Sequence, residues 1–264
     1  MQLGIAYNFF NGEEHLLASL RSVRNSASYI CVVFQEFSNS GEPCSDAARS
    51  VLREAAESNL IDECVMFEPD LGKPRATNET RKRQIGLDRC KTKRCTHFLS
   101  MDADEFYRGH EFEKAKAFLE NNNIHISTVP SFFHLKSPQY RCLDTTMVPF
   151  ICKINCLTRT GAARYPVRMT DPTRRIWNWP RRHHLFDESS IAMYHMNFVR
   201  SDFTSKFANT STTDTAFLDT VKNKILTWSY PETFVFPGKG EYQMVCVPNE
   251  FSTYDPLEKG RHED

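Results

Sequence analysis

Phe98-Leu99-Ser100-Met101-Asp102-Ala103-Asp104-Glu105-Phe106-Tyr107 is an apolar run that ends in three carboxylates within four residues. Carboxylates at the end of a buried strand repel one another, and burying them unpaired is costly. A divalent cation relieves both problems. Hard oxygen ligands suit Mg²⁺ or Mn²⁺, which leave positions open for phosphates. Asp102-x-Asp104 is therefore a candidate metal–diphosphate site. The motif is short, and a solvated turn after a strand reads the same way, so its surroundings decide.

Upstream, strands and helices alternate. Leu3 to Asn8 is apolar and strand-like, and Glu13 to Asn25 carries Leu16, Leu17, Leu20 and Val23 at helical spacing. Tyr29 to Phe34 is a continuous apolar run, as in strands buried on both faces. Ser45 or Asp46 caps a predicted helix to Ser58, Ile61 to Phe67 is a third strand, and Thr77 caps a helix to Cys90. Thr96 to Met101 is the fourth strand. This alternation predicts an α/β fold: a mixed, mainly parallel sheet flanked by helices. Such sheets bind ligands outside the carboxyl ends of their strands. Asn8, Gln35, Glu36, Glu68 and Asp102 all fall near those ends.

Downstream the pattern is less regular. Glu111 to Glu120 reads as a helix. Ile124 to Leu135 and Met147 to Leu157 read as strands, antiparallel to each other. Gly161 to His184 is loop-like, basic and aromatic. Ile191 to Phe198 is strand-like, and Ser201 to Phe207 and Asp214 to Trp228 are helical. The expectation is one domain over 1–254, with a nucleotide-binding half (1–125), an acceptor half (126–254) and a mobile tail (255–264).

The 264 residues are 40% hydrophobic and 25% charged, which is ordinary for a soluble globular chain. Lys plus Arg equals Asp plus Glu at 33 each, so net charge offers no argument for nucleic acid or membrane. No window approaches the roughly 18 uninterrupted apolar residues of a membrane span. Leu3 already belongs to a core strand, with no basic or apolar leader before it. The nine cysteines are odd in number and match no zinc spacing, and Cys31, Cys64 and Cys152 sit in apolar runs as buried thiols. Together these predict a cytoplasmic protein, bacterial or viral, with reduced thiols, no stable membrane insertion and no nucleic-acid partner.

Five motifs occur in order: Ile5-Ala6-Tyr7-Asn8 with Glu13-Glu14-His15-Leu16-Leu17; Gln35-Glu36-Phe37-Ser38-Asn39-Ser40; Arg83-Gln84-Ile85-Gly86-Leu87; Asp102-Ala103-Asp104-Glu105-Phe106; and Tyr194-His195-Met196-Asn197-Phe198-Val199-Arg200-Ser201 with Lys206. In this order the chain resembles a glycosyltransferase of the GT-A fold, close to the family 2 type, over roughly residues 1 to 210. It departs from that pattern at Gln35 or Glu36, where the family shows a nucleobase-reading Asp, and at Gln84, where it shows Asn.

The resemblance implies a Rossmann-like GT-A sheet and a nucleoside-diphosphate sugar donor, a UDP-sugar. It implies a glycan acceptor and a Mn²⁺ or Mg²⁺ ion. Asp104 is the expected direct metal ligand, Asp102 reaches the ribose or the metal, and His195 completes the metal site. Asn8, Gln35, Glu36, Arg83 and Lys73 are the expected donor-binding residues. Arg81 and Lys82 are expected on a solvated helix face. Trp177, Trp179 and Arg181 are candidate acceptor contacts, since aromatic faces stack on sugar rings. An inverting transferase needs a carboxylate to take the acceptor's proton. Asp171, Asp187 and Glu188 qualify, with Asp171 first.

Two other classes stay open. A nucleotidyltransferase also places carboxylates and a divalent ion on an α/β sheet, but its Gly-rich phosphate loop is absent from Asn8-Phe9-Phe10-Asn11-Gly12. A nucleotide-sugar-binding protein without turnover is compatible with the departures at Gln35 and Gln84. The basic-aromatic stretch from Arg174 to His184 is too short for a nucleic-acid surface in a neutral chain.

Overall fold

Leu3–Phe9 (β1) and Tyr29–Phe34 (β2) contain only buried residues, so each must be covered on both faces. In the computed structural model of the chain, Glu63–Met66 (β3) and His97–Asp102 (β4) complete a parallel set in the order β3-β2-β1-β4. The structure describes residues 1–167, 171–180, 182–208 and 214–259.

The connecting helices are Glu13–Val23 (α1), Asp46–Glu57 (α2) and Arg75–Thr92 (α3). Leu16, Leu20 and Val23 of α1 face the core. Ser45 caps α2 by accepting from the Ala48 N–H at 2.9 Å. Thr77 does not cap α3: Pro74, whose ring fixes φ, opens that helix earlier, and Thr77 lies in its first turn. A Cβ on Gly86 of α3 would lie 2.4 Å from the Ala6 Cβ, so only glycine lets α3 approach β1 this closely. The third strand is shorter than Ile61 to Phe67, and it is the sheet's edge. Cys64 is therefore exposed rather than buried, while Cys31 and Cys152 are buried and all nine thiols are free.

The second half extends the same sheet. After Glu105–Phe106 (β5) and Gly109–Asn121 (α4), Ile126–Leu135 (β6) and Ser137–Lys153 (β7) form a long antiparallel hairpin. The second arm starts well before Met147, because its solvent-facing positions hide the apolar alternation. β7 pairs antiparallel with β4, and Met193–Phe198 lies parallel to β6 and antiparallel to β5. Among the described residues the result is one ten-stranded mixed sheet with helices packed on it, in keeping with the α/β reading.

Gly161 to His184 is not all loop. Arg159–Thr160 pairs with Ile176–Trp177, and Pro172–Arg174 is a single 3-10 turn. Nor is Asp255 part of a mobile tail. It is buried and accepts from the Ser137 hydroxyl at 2.8 Å, and Pro256–Lys259 is helical; residues 260–264 lie outside the described set. No helix among the described residues is long and apolar enough to cross a membrane.

Candidate active site

The carboxyl ends of β1, β2 and β4 open into a cleft of about 400 Å³. Register explains the convergence. Asn8 of β1 lies opposite Asp102 of β4, and the Gln35 N–H, just after β2, donates to Phe9 O at 3.1 Å. The opposite wall is supplied from far along the chain. The strand Met193–Phe198 sets His195 opposite Glu105, and the Met196 N–H donates to Asp104 O at 2.8 Å. Arg200 and Lys206 lie on the next turn and helix.

Each acid of the triplet has a basic counterpart. Asp104 is buried. Its Oδ2 accepts from Arg200 at 2.5 Å and lies 3.4 Å from Lys206 Nζ, while its Oδ1 lies 3.4 Å from His195 Nε2. Burial opposes ionisation, but Lys206, His195 and Arg200 outweigh it and hold the Asp104 carboxyl well below the usual carboxylate range. Asp102 contacts Arg174 and lies 3.3 Å from Arg83. Burial again works against the charge, and Arg174 and Arg83 overcome it, so Asp102 is also held low. Glu105 is buried, shares Arg174, and accepts from the Asp102 N–H at 3.0 Å. Burial dominates there and raises the Glu105 carboxyl despite Arg174.

Arg83 knits the floor together. It donates to Ser100 Oγ at 2.8 Å, Asp171 Oδ2 at 3.0 Å and Thr173 Oγ1 at 3.2 Å. Asn8, with its amide oxygen turned toward Arg83, accepts from it at 3.0 and 3.2 Å. Gln35 donates to Phe37 O at 2.8 Å and to Asn39 Oδ1 at 3.2 Å. Its Oε1 accepts from Lys82 Nζ at 2.9 Å, and Lys82 also donates to Phe9 O at 2.9 Å.

Lys82 overturns one sequence expectation. Arg81 is exposed as expected, but Lys82 and Arg83 are both buried. Successive helical residues lie about 100° apart, so a helix pressed into the sheet edge can sink two neighbours at once. Desolvation lowers the Lys82 ammonium to about 8. The roles of Arg174, Arg200 and Lys206 as counter-charges also escaped the sequence reading. The signals for them were the acidic triplet, in which two acids are buried and Asp102 is half-buried, and, for Arg200 and Lys206, the motif around His195 that contains them.

Of the residues singled out from sequence, the cleft gathers Asn8, Gln35, Arg83, Asp102, Asp104, Asp171 and His195. Glu36 instead points to Arg49 at 3.5 Å, and Lys73 is exposed on its loop. Asp187 is exposed and accepts from Ser189 and Ser190, and Glu188 is exposed beside it. Neither acid is among the described residues of the cleft. Trp177 stacks with Arg159, and Trp179 is 62% exposed, both away from the cleft wall. Arg181 lies outside the described residues.

A divalent ion can be tested against this donor set. Among the described residues no group of three His, Cys, Asp or Glu side chains converges as a metal cluster. Asp102 is engaged by two guanidiniums, which leaves it a poor ligand. Asp104 Oδ1 and His195 Nε2 do face one another at 3.4 Å, and Mg²⁺-type sites commonly use one or two protein ligands plus substrate phosphates. That pair fits an ion completed by a diphosphate.

No family model matches the sequence, and no curated protein matches it. Among solved structures, residues 1–349 of Staphylococcus aureus TarS align with TM-score 0.47 and 11% identity, covering 75% of this chain and 61% of that one. The same TarS segment bound to UDP-GlcNAc aligns with TM-score 0.38 and 14% identity, over 51% of this chain and 35% of that one. A longer TarS structure aligns with TM-score 0.38 and 14% identity, over 50% and 22%. The chain thus spans less than two thirds of each TarS chain that it resembles. At these scores the functional reading rests on the cleft alone.

Proposed function

We propose that the chain is a glycosyltransferase that moves a sugar from a nucleoside-diphosphate sugar, a UDP-sugar, to a glycan hydroxyl with inversion. One observation carries this reading: the strand-end carboxylates Asp102 and Asp104 meet Arg200, Lys206 and His195 over a cleft at the sheet's carboxyl edge. An edge of this kind suits a nucleotide, and a cluster of fixed cations suits a diphosphate that gains charge as it leaves.

In this scheme Gln35 and Asn39 read the nucleobase in place of an acidic residue, and Lys82 fixes the Gln35 amide. Asp102 reaches the ribose. Arg200 and Lys206, held in place by Asp104, face the diphosphate. Asp104 and His195 hold Mn²⁺ or Mg²⁺, with imidazole favouring Mn²⁺. The ion supplies Lewis-acid charge compensation at the leaving diphosphate. Asp171, oriented by Arg83 and Thr173 at the cleft wall, takes the proton of the attacking hydroxyl. Attack from the face opposite the diphosphate inverts the anomeric centre.

Calorimetric titration with UDP, with and without Mn²⁺ and against GDP, tests the reading. Tight UDP binding that needs Mn²⁺ is the expected result. Binding of neither nucleotide would overturn it. Mn²⁺-dependent UDP binding with no sugar transfer or hydrolysis from any UDP-sugar would leave a nucleotide-sugar-binding protein.

A further inference from the structure

The stretch from 158 to 184 holds seven arginines, no lysine and a single acid, Asp171, in a chain whose charges balance only as a whole. Arg168 and Arg181 lie outside the described residues. Arg174 is buried and serves Asp102 and Glu105. Arg159, Arg164, Arg175 and Arg182 remain, and none of the four has a carboxylate partner among the described residues. The arginines of the cleft differ sharply: Arg83 lies 3.0 Å from Asp171, and Arg200 lies 2.5 Å from Asp104.

The short ribbon Arg159–Thr160 with Ile176–Trp177 sorts these side chains by the two-residue period of a strand. Thr160 and Ile176 face inward and are buried. The Thr160 N–H and hydroxyl both donate to Gln84 Oε1, at 2.9 and 3.0 Å, which ties the ribbon to α3. Arg159, Arg175 and Trp177 therefore share the outer face. The Arg159 guanidinium lies 5.1 Å from the Trp177 ring centroid, and Arg175 donates to Ala163 O at 3.0 Å. The ribbon runs straight into Asp171, Thr173 and Arg174 of the cleft wall. At about 3.3 Å per extended residue, Trp177 is roughly 10 Å from Arg174.

We propose that this outer face is the track on which the acceptor lies, and that the acceptor is an anionic saccharide bearing phosphate or carboxylate groups. The proposal rests on the glycosyltransferase reading and deepens it by giving the acceptor's chemistry. Arginine forks match phosphate and carboxylate bidentately, whereas a neutral glycan leaves their charge without use. Single-stranded nucleic acid fits less well. Such binders stack successive bases on open aromatic faces, and one face of Trp177 is already covered by Arg159.

The test is calorimetric titration of the full chain at low salt with four probes: hexagalacturonate, phosphorylated maltohexaose, neutral maltohexaose and a short oligothymidylate. The anionic hexamers are expected to bind about tenfold more tightly than the neutral one, and the double variant R159Q/R175Q to lose about tenfold of that affinity. The control K114Q, on the exposed face of α4, is expected to lose none. The better anionic probe identifies the anion. Equal affinity for neutral and anionic hexamers, undiminished binding by R159Q/R175Q, or preference for the oligothymidylate would each overturn the proposal. UDP is titrated into the same preparation. UDP binding without anion preference sinks the track and leaves the transferase reading standing. Anion preference without UDP binding sinks the transferase reading and, with it, the acceptor role.

Discussion

The two halves of the sheet contribute opposite charges to one cleft by different routes. In the first half, β1, β2 and β4 are neighbours in parallel register, and Asn8, Gln35 and Asp102 come together simply because strands of one sheet end on one edge. In the second half, Arg174 comes from a 3-10 turn and His195 from a strand parallel to β6, while Arg200 and Lys206 come from the turn and short helix beyond that strand. The acidic triplet thus stands on the regular half, and most of its counter-charges stand on the irregular half. A half that is locally legible can still be functionally incomplete, because its buried carboxylates need partners that only the other half provides.

The largest expected break in this pairing is Asp104→Asn. It removes the one carboxylate that Arg200, Lys206 and His195 all face. Transfer from the UDP-sugar is expected to fall about a thousandfold, as for loss of a preorganised electrostatic group. A rate within a fewfold of the unaltered protein would detach Asp104 from the chemistry.

Arg174→Ala cuts the link between the halves from the other side. It leaves the buried Glu105 and the half-buried Asp102 without their shared guanidinium, at an expected cost of about 3 kcal/mol in urea unfolding. Adding Glu105→Gln should recover part of that loss. No recovery would mean that Arg174 acts by packing rather than by charge.

Stability against acid sharpens the comparison without mutation, because buried histidines occur in both halves. Burial pushes His15 and His97 down to about 4 and His134 down to about 3. His15 is satisfied as a neutral ring, donating from Nε2 to Val199 O at 2.6 Å and accepting from the Thr253 hydroxyl at 2.8 Å. Between about pH 6.5 and 4 the unfolded chain binds more protons than the folded one, so stability is full above 6.5 and falls as pH drops through that window. Each histidine contributes a slope of about 1.4 kcal/mol per pH unit. Calorimetric melting across the range checks it, and a flat profile would contradict the burial of all three.

The smallest effect is expected at Asp187→Asn. This exposed carboxylate caps its own turn outside the cleft. Activity is expected to stay unchanged and stability to move by under about 0.5 kcal/mol. A large loss of kcat would return Asp187 to the candidate bases and displace Asp171.

The sequence alone determined what is local. Apolar runs such as Tyr29–Phe34 announced strands covered on both faces, helical spacing announced α1 and α2, and an acidic triplet after an apolar strand announced where the cleft lies. Each of these depends on hydrophobic periodicity or charge within a few residues, which the chain carries on its face. Only the tertiary structure decided that Lys82 sinks beside Arg83, that Cys64 sits on an edge, and that Asp187, Glu188, Glu36 and Lys73 stand apart from the cleft. It alone matched Arg174 to Asp102 and Arg200 to Asp104, across separations of 72 and 96 residues. The reason is that ion pairing has no period. Any of the chain's 33 basic side chains could answer a buried carboxylate, and the tertiary packing that brings the 3-10 turn and the turn after Phe198 to the sheet's edge selects which one does.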